Sequence, residues 1–156
     1  MNIRNSTKAI IVNSDRNMIL LTKNQDKGGF FYICPGGGQE HSETLHEALK
    51  RKCIEEVGFH IEIGKLLHIR EYIGKNHEYS TFDYDVHQVE YYFVCELKDN
   101  ENNQIEPSNP DSHQVGMEWV QVNDLLKYRL YPIELKKYIV KHFNNEKAPV
   151  YLGDVN

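Results

Sequence analysis

Three consecutive glycines, Gly36–Gly38, stand directly after Pro35 and separate two kinds of pattern in the chain. Before them, Thr7–Val12 and Met18–Lys23 are apolar and β-branched enough to read as strands. Asn13-Ser14-Asp15-Arg16-Asn17 joins them as a hairpin turn. Phe30–Cys34 reads as a third short strand that stops at Pro35, because Pro-Gly-Gly-Gly does not readily extend a regular element. After the glycines the period changes. Thr44-Leu45-His46-Glu47 has the spacing of a capping box. Leu45, Leu49, Cys53 and Val57 then recur every four residues, and Gly58 suits a left-handed cap. The spacing predicts a helix over 45–57.

Further strands are expected at 61–72, at 86–97, which is dense in Val, Tyr and Phe, and at 116–122 around Trp119. Residues 74–85 are polar and aromatic without a period, and 98–114 reads as a polar loop holding Pro107 and Pro110. Asn123-Asp124 is expected to cap a short helix, and Pro132 to open a last helix reaching about Phe143. No repeat or linker interrupts the chain. The expectation is one α/β (α+β) domain over 1–156, with helices packed on a mixed β-sheet.

Composition narrows the classes of function. With 40% hydrophobic and 26% charged residues among 156, disorder is not expected. A net charge of -5 argues against bulk nucleic-acid binding but not against a small phosphorylated nucleotide, since bound metal offsets charge locally. A homodimer is left open. Cys34, Cys53 and Cys95 form no C-x-x-C pair, so neither a disulfide framework nor a cysteine zinc site is signalled, and a reduced cytoplasm fits best. The apolar core near the N-terminus, Ala9–Val12, is too short for a secretion signal. No apolar run approaches the ~20 residues that cross a bilayer.

The chemistry concentrates between Gly37 and Phe59, GGQEHSETLHEALKRKCIEEVGF. At 100° per residue, Lys52, Glu55 and Glu56 fall within about 100° of one another on the helix. Paired carboxylates with a nearby backbone carbonyl are hard oxygen ligands of the kind magnesium prefers. The glycines Gly36, Gly37 and Gly38 let backbone approach phosphate oxygens without a Cβ in the way. Glutamates in the last turn of a helix oppose the macrodipole, by about 0.3–1 kcal/mol each, which hints at a use other than helix stability.

This segment resembles the Nudix hydrolases, whose pattern is glycine, five residues, glutamate, seven residues, then Arg-Glu-apolar-x-Glu-Glu-x-Gly-apolar. Gly37, Glu43, Arg51, Cys53, Glu55, Glu56, Gly58 and Phe59 match it, and Pro35–Gly38 with Glu40 also look like the family. The resemblance implies a Nudix fold and cleavage of a pyrophosphate bond. It implies Mg2+, or Mn2+ in its place, held by Gly37, Glu55 and Glu56. Glu43, Arg51, Glu55 and Glu56 would be the catalytic set, with Arg51 pairing Glu43 or Glu55, and Gly36–Gly38 would meet the substrate. One position departs: Lys52 stands where the family has glutamate. Lys52 either pairs with Glu55 and Glu56, competing with metal, or reaches outward to phosphate. In the family it resembles, a proline some distance after the motif often accompanies ADP-ribose cleavage. This chain has none between Pro35 and Pro107, so the resemblance points more to a nucleoside triphosphate or dinucleoside polyphosphate. The rival reading is a domain of this fold that binds nucleotide or protein with weak or no hydrolysis because of Lys52.

Other signals are weaker. No pair of the eight histidines is spaced i, i+4. His87–Tyr92 alternates as a half-buried strand does, or as a polar row lining a pocket. Tyr79, Phe82 and Tyr84 are more often loop anchors than base-stacking groups. Glu90, Asp111 and His113 are the candidates for a base outside the motif.

Overall fold

The structure, a computed structural model, describes residues 1–98 and 104–156. Its strands are β1 (Arg4–Asn13), β2 (Met18–Asp26), β3 (Gly29–Ile33), β4 (Gly36–Gly38), β5 (Ile61–Ile73), β6 (His87–Leu97), β7 (Gln114–Gln121) and β8 (Tyr151–Asp154). The helices are α1 (Leu45–Val57), α2 (Ser80–Asp83) and α3 (Leu135–Phe143). All eight strands join one mixed sheet in the order β3-β2-β1-β6-β5-β8, with β4 paired to β1 and β7 to β2. β1 runs parallel to β6 and β5 parallel to β8, while the other pairs are antiparallel. The expected mixed sheet with helices against it is thus present.

The centre of β1 is apolar on both sides because both sides are covered. Ala9 and Ile11 pack with Leu49, Cys53 and Val57 of α1 and with Phe93 and Cys95 of β6. Ile10 and Val12 pack on the opposite face with Tyr92, Val120, Leu135 and Ile139, beneath α3. The four-residue stripe of α1 is therefore its buried face, as its period requires.

Both ends of α1 are closed. The Thr44 hydroxyl accepts the Glu47 N–H at 3.1 Å, and the Glu47 carboxylate accepts the Thr44 N–H, completing the capping box. At the other end Gly58 has φ +71° and donates to the Cys53 and Ile54 carbonyls. A Cβ on Gly58 would lie 1.8 Å from the Ile105 carbonyl oxygen, so close docking of the later segment also requires glycine there. That segment satisfies the remaining carbonyls of the last turn. The Asn109 N–H donates to Glu55 O (3.0 Å), Gln114 Nε2 to Glu56 O (2.8 Å) and Gln104 Nε2 to Val57 O (2.9 Å).

Three expectations are corrected and one strand is added. The triglycine run, expected to break regular structure, forms a strand: Gly36–Gly38 pairs with Lys8, Thr7 and Ser6 as β4. Absence of a side chain is what permits this, since a Cβ on Gly36 (φ +144°) would lie 2.0 Å from the Thr7 carbonyl oxygen. Asn123-Asp124 caps no helix; a 3-10 segment, Val122–Lys127, is entered from Gln121 without a side-chain cap. Pro132 does not open α3, which begins at Leu135 after a turn in which the Pro132 carbonyl accepts the Leu135 N–H. β8 has no counterpart in the sequence pattern, because four residues are too few to show a period. Within the expected polar loop, 98–114, residues 99–103 lie outside the described residues, and 104–113 contains no strand or helix. Residues 74–85 hold a short 3-10 turn, Gly74–Asn76, and α2.

Candidate active site

α1 delivers Arg51, Lys52, Glu55 and Glu56 beside the glycine strand, and the four side chains do not share one environment. Glu56 is completely buried. Its Oε1 accepts the Gly36 N–H at 3.4 Å, and its Oε2 has no hydrogen-bond donor. Burial pushes its carboxyl up to about 7, with Asp111 adding to the rise; Lys8 and Lys52 oppose it. A buried glutamate with a free oxygen is costly unless a cation faces it.

Lys52 supplies that cation. Its Nζ lies 3.2 Å from Glu55 Oε2, 3.4 Å from Glu56 Oε2 and 3.9 Å from Asp111 Oδ1, with the side chain 14% exposed. Of the two orientations open to it, Lys52 takes the inward one. Burial lowers its pKa, but the carboxylates outweigh this and hold it above the ordinary lysine value. Its stem lies across β4, so that a Cβ on Gly37 would stand 2.5 Å from Lys52 Cε.

Arg51 turns the other way and binds the rest of the motif. Nε and Nη2 donate to the two oxygens of Glu43 at 2.8 and 2.9 Å, Nη2 also to Gly38 O at 3.0 Å, and Nη1 to Glu55 Oε1 at 3.4 Å. Glu40 lies 3.9 Å from the same guanidinium. The bidentate bond from Arg51 holds the Glu43 carboxyl down at about 2. Arg51 thus meets both expected partners, Glu43 and Glu55, and ties them to the glycine strand.

The candidate bases separate. Glu90 is buried and saturated: Arg70 donates to both its oxygens at 3.0 Å, Tyr92 Oη to Oε1 at 2.5 Å and Gln88 Nε2 to Oε2 at 2.6 Å. Burial alone would raise its pKa. The Arg70 and Lys8 charges and the hydrogen bonds to it prevail and hold it at about 2. Such a group is a poor proton acceptor. Asp111 reaches Lys52, whereas His113 lines a neighbouring cavity of about 470 Å³. That cavity also meets Gln88, Glu90, Arg70, Tyr72, Tyr79 and Tyr131. The polar residues of β6 therefore do line a pocket. Tyr79 is anchored at its rim through Tyr131 Oη (2.9 Å), while Phe82 and Tyr84 are exposed and outside it.

Sequence reasoning missed Lys8, whose charge draws down both Glu56 and Glu90 from β1. Its signal was visible: a lysine directly before the buried run Ala9–Val12. Arg70 was a second such charge, on a strand.

Residues Glu55 and Glu56 fit a hard cation, since an ammonium already stands against both, and an ammonium is the protein's own stand-in for a metal. Among the described residues no group of three or more His, Cys, Asp or Glu side chains is arranged to hold a metal ion by itself. A metal here would therefore complete its shell with backbone, water and phosphate oxygens.

Comparison with known proteins places the chain in a class, that of the Nudix hydrolases. The NUDIX domain model matches residues 3–141, and the chain belongs to the Nudix family, whose hydrolases generally use divalent metals. It is 30% identical over 118 residues to an RNA pyrophosphohydrolase of Helicobacter pylori (strain ATCC 700392 / 26695), covering 72% of this chain and 73% of that protein. Its fold is similar to a NUDIX hydrolase from Nitrosomonas europaea (TM-score 0.70, 15% identity, 95% of this chain and 93% of that one). It is similar also to an ADP-ribose pyrophosphatase from Streptococcus suis 89-1591 (TM-score 0.66, 18% identity, 98% and 100% covered). No helix among the described residues is long and apolar enough to cross a membrane.

Proposed function

We propose that the protein is a magnesium-dependent pyrophosphohydrolase of the cytoplasm, one Nudix domain over 1–156, that cleaves a nucleoside triphosphate or dinucleoside polyphosphate. The carrying observation is the buried Glu56, aimed with Glu55 at a single cation beside a strand of glycines. Glu55, Glu56 and the Gly37 carbonyl would hold Mg2+ or Mn2+. When bound, such an ion lowers the pKa of a water and offsets charge on the pyrophosphate. The chain's own groups do the rest. Gly36–Gly38 would meet the substrate through their backbone, Arg51 fixes Glu43 and Glu55, and Asp111, half-exposed and 3.9 Å from Lys52 Nζ, is the carboxylate placed to take a proton. The cavity lined by Gln88 and Tyr79 would receive the nucleoside. An RNA 5′-triphosphate presents the same anhydride, and the Helicobacter relative supports its inclusion as substrate. Lys52 favours a second reading, nucleotide binding without hydrolysis, because it stands where the cation would.

A panel of nucleoside triphosphates, dinucleoside polyphosphates, ADP-ribose and a 5′-triphosphorylated RNA separates these readings when phosphate or pyrophosphate release is followed with Mg2+ and with EDTA. Metal-dependent release from a triphosphate or dinucleoside polyphosphate is expected. Saturable binding with no release from any compound would establish the second reading instead.

Arg51→Ala should lower turnover and metal affinity together, each by about 10–100-fold, as loss of an outer partner of metal-holding carboxylates does. Steady-state kinetics and Mn2+ titration measure the two. A raised Michaelis constant with turnover intact would mean that Arg51 instead contacts substrate.

A further inference from the structure

We infer that Lys52 is a resident cation of the carboxylate site, holding Glu55, Glu56 and Asp111 together in the metal-free protein and yielding its place when a divalent metal binds. This deepens the metal-dependent reading above and rests on it. Nζ stands within 3.2–3.9 Å of three carboxylates contributed by α1 and by the segment that docks on its end. Two of these, Glu55 and Glu56, are the groups to which a metal would bind. The third, Asp111, is 49% exposed on a segment without regular structure. Without an interposed positive charge, three carboxylates would repel one another, and Glu56 would keep a buried oxygen facing none of them favourably. Glu56 Oε2 receives no hydrogen bond, so the ion pair with Lys52 is what offsets part of its burial cost. Room for the lysine stem exists because Gly37 has no side chain. A glutamate at position 52 could do none of this and would add a fourth negative charge. The exchange therefore converts a site that needs metal to be assembled into one assembled by the chain itself, at the cost of weaker metal binding.

The experiment compares wild type with Lys52→Met and Lys52→Arg in two measurements that do not depend on turnover: melting temperature in EDTA and in Mn2+, and free Mn2+ by electron paramagnetic resonance. At one Mn2+ concentration, wild type should gain a smaller rise in melting temperature over EDTA than Lys52→Met does, because its metal binding is weaker. Lys52→Met should melt about 5 °C or more lower in EDTA, recover in Mn2+, and bind Mn2+ at least ~10-fold more tightly, since a charge in the ion's path is gone. Lys52→Arg, which keeps the charge, should behave like wild type. If Lys52→Met does not accumulate, Lys52→Gln carries the same comparison. Equal Mn2+ affinity in wild type and the neutral variant overturns the inference, as does a loss of stability that Mn2+ leaves uncorrected. Failure of the functional reading would show differently: Mn2+ would bind these variants as stated, while no compound of the panel is cleaved.

Discussion

Glu56→Gln should lower turnover by at least ~100-fold and yet make the metal-free protein more stable at high pH. The first effect is a modest share of the several kcal/mol that a bound metal contributes to charge stabilisation. The second follows from burial. Glu56 has its carboxyl pushed up to about 7 in the folded chain, against 4.5 for an ordinary glutamate. A carboxyl raised on folding costs stability as pH rises from about 4.5 through 7, and the full cost is present above that. Glutamine removes this charge and can still accept the Gly36 N–H, so the gain at pH 9 is up to about 3 kcal/mol. Below pH 4.5 the two proteins should converge. Thermal unfolding in EDTA at pH 4, 7 and 9, beside kinetics on a panel substrate, tests both parts. A variant less stable than wild type at pH 9 would show that the buried carboxylate is compensated by its surroundings. The pairing of lost activity with gained stability is the signature of a residue kept for chemistry.

Arg70→Ala should destabilise the protein by about 3–5 kcal/mol, because it leaves Glu90 buried with its charge unpaired. At this chain length that is a fall of roughly 6–20 °C in melting temperature. Arg70 also donates to the Val155 carbonyl oxygen at 2.5 Å, so the terminal segment after β8 should loosen with it. Replacing both partners, with Arg70→Met and Glu90→Gln, should recover most of the loss, since neither charge is then stranded and Tyr92 keeps an acceptor. The sign with pH is opposite to that of Glu56. Glu90 is held at about 2 in the folded state, so the stability it contributes is present above about pH 4.5 and is lost as pH falls toward 2. Arg70→Ala should flatten that acid slope. A double variant no better than Arg70→Ala would mean that packing of the arginine stem, and not its charge, carries the effect.

Much of this molecule was legible in the sequence where one local rule decided the outcome. Thr44, Glu47 and Gly58 fix the ends of α1 through contacts within a few residues, and its stripe fixes the buried face. The mutual placement of Glu43, Arg51 and Glu55 follows from helix geometry and one turn. What could not be read depended on partners far along the chain. The burial of Glu56 comes from β1 and β4 closing over it, so a pair of glutamates that looks like surface charge divides into one half-buried and one enclosed. Gly36–Gly38 looks like a break until β1 offers its edge. β8 has no pattern of its own and exists because β5 leaves an edge free. The inward pose of Lys52 needed Asp111, 59 positions later, to be chosen over the outward one.

The closure of α1 has a consequence for how the motif is regarded. The carbonyls of Glu55, Glu56 and Val57 are each claimed by a group from 104–114, about fifty residues further along. A nascent chain that has reached only Phe59 has the whole recognisable signature but ends its helix in bare, negatively polarised carbonyls beside two acids. The signature is therefore not a transplantable cassette. Lifted into another scaffold, it would bring its glutamates without the amides that make their position tolerable. α1 is completed by the second half of the chain, and the candidate site comes into being with the fold and not before it.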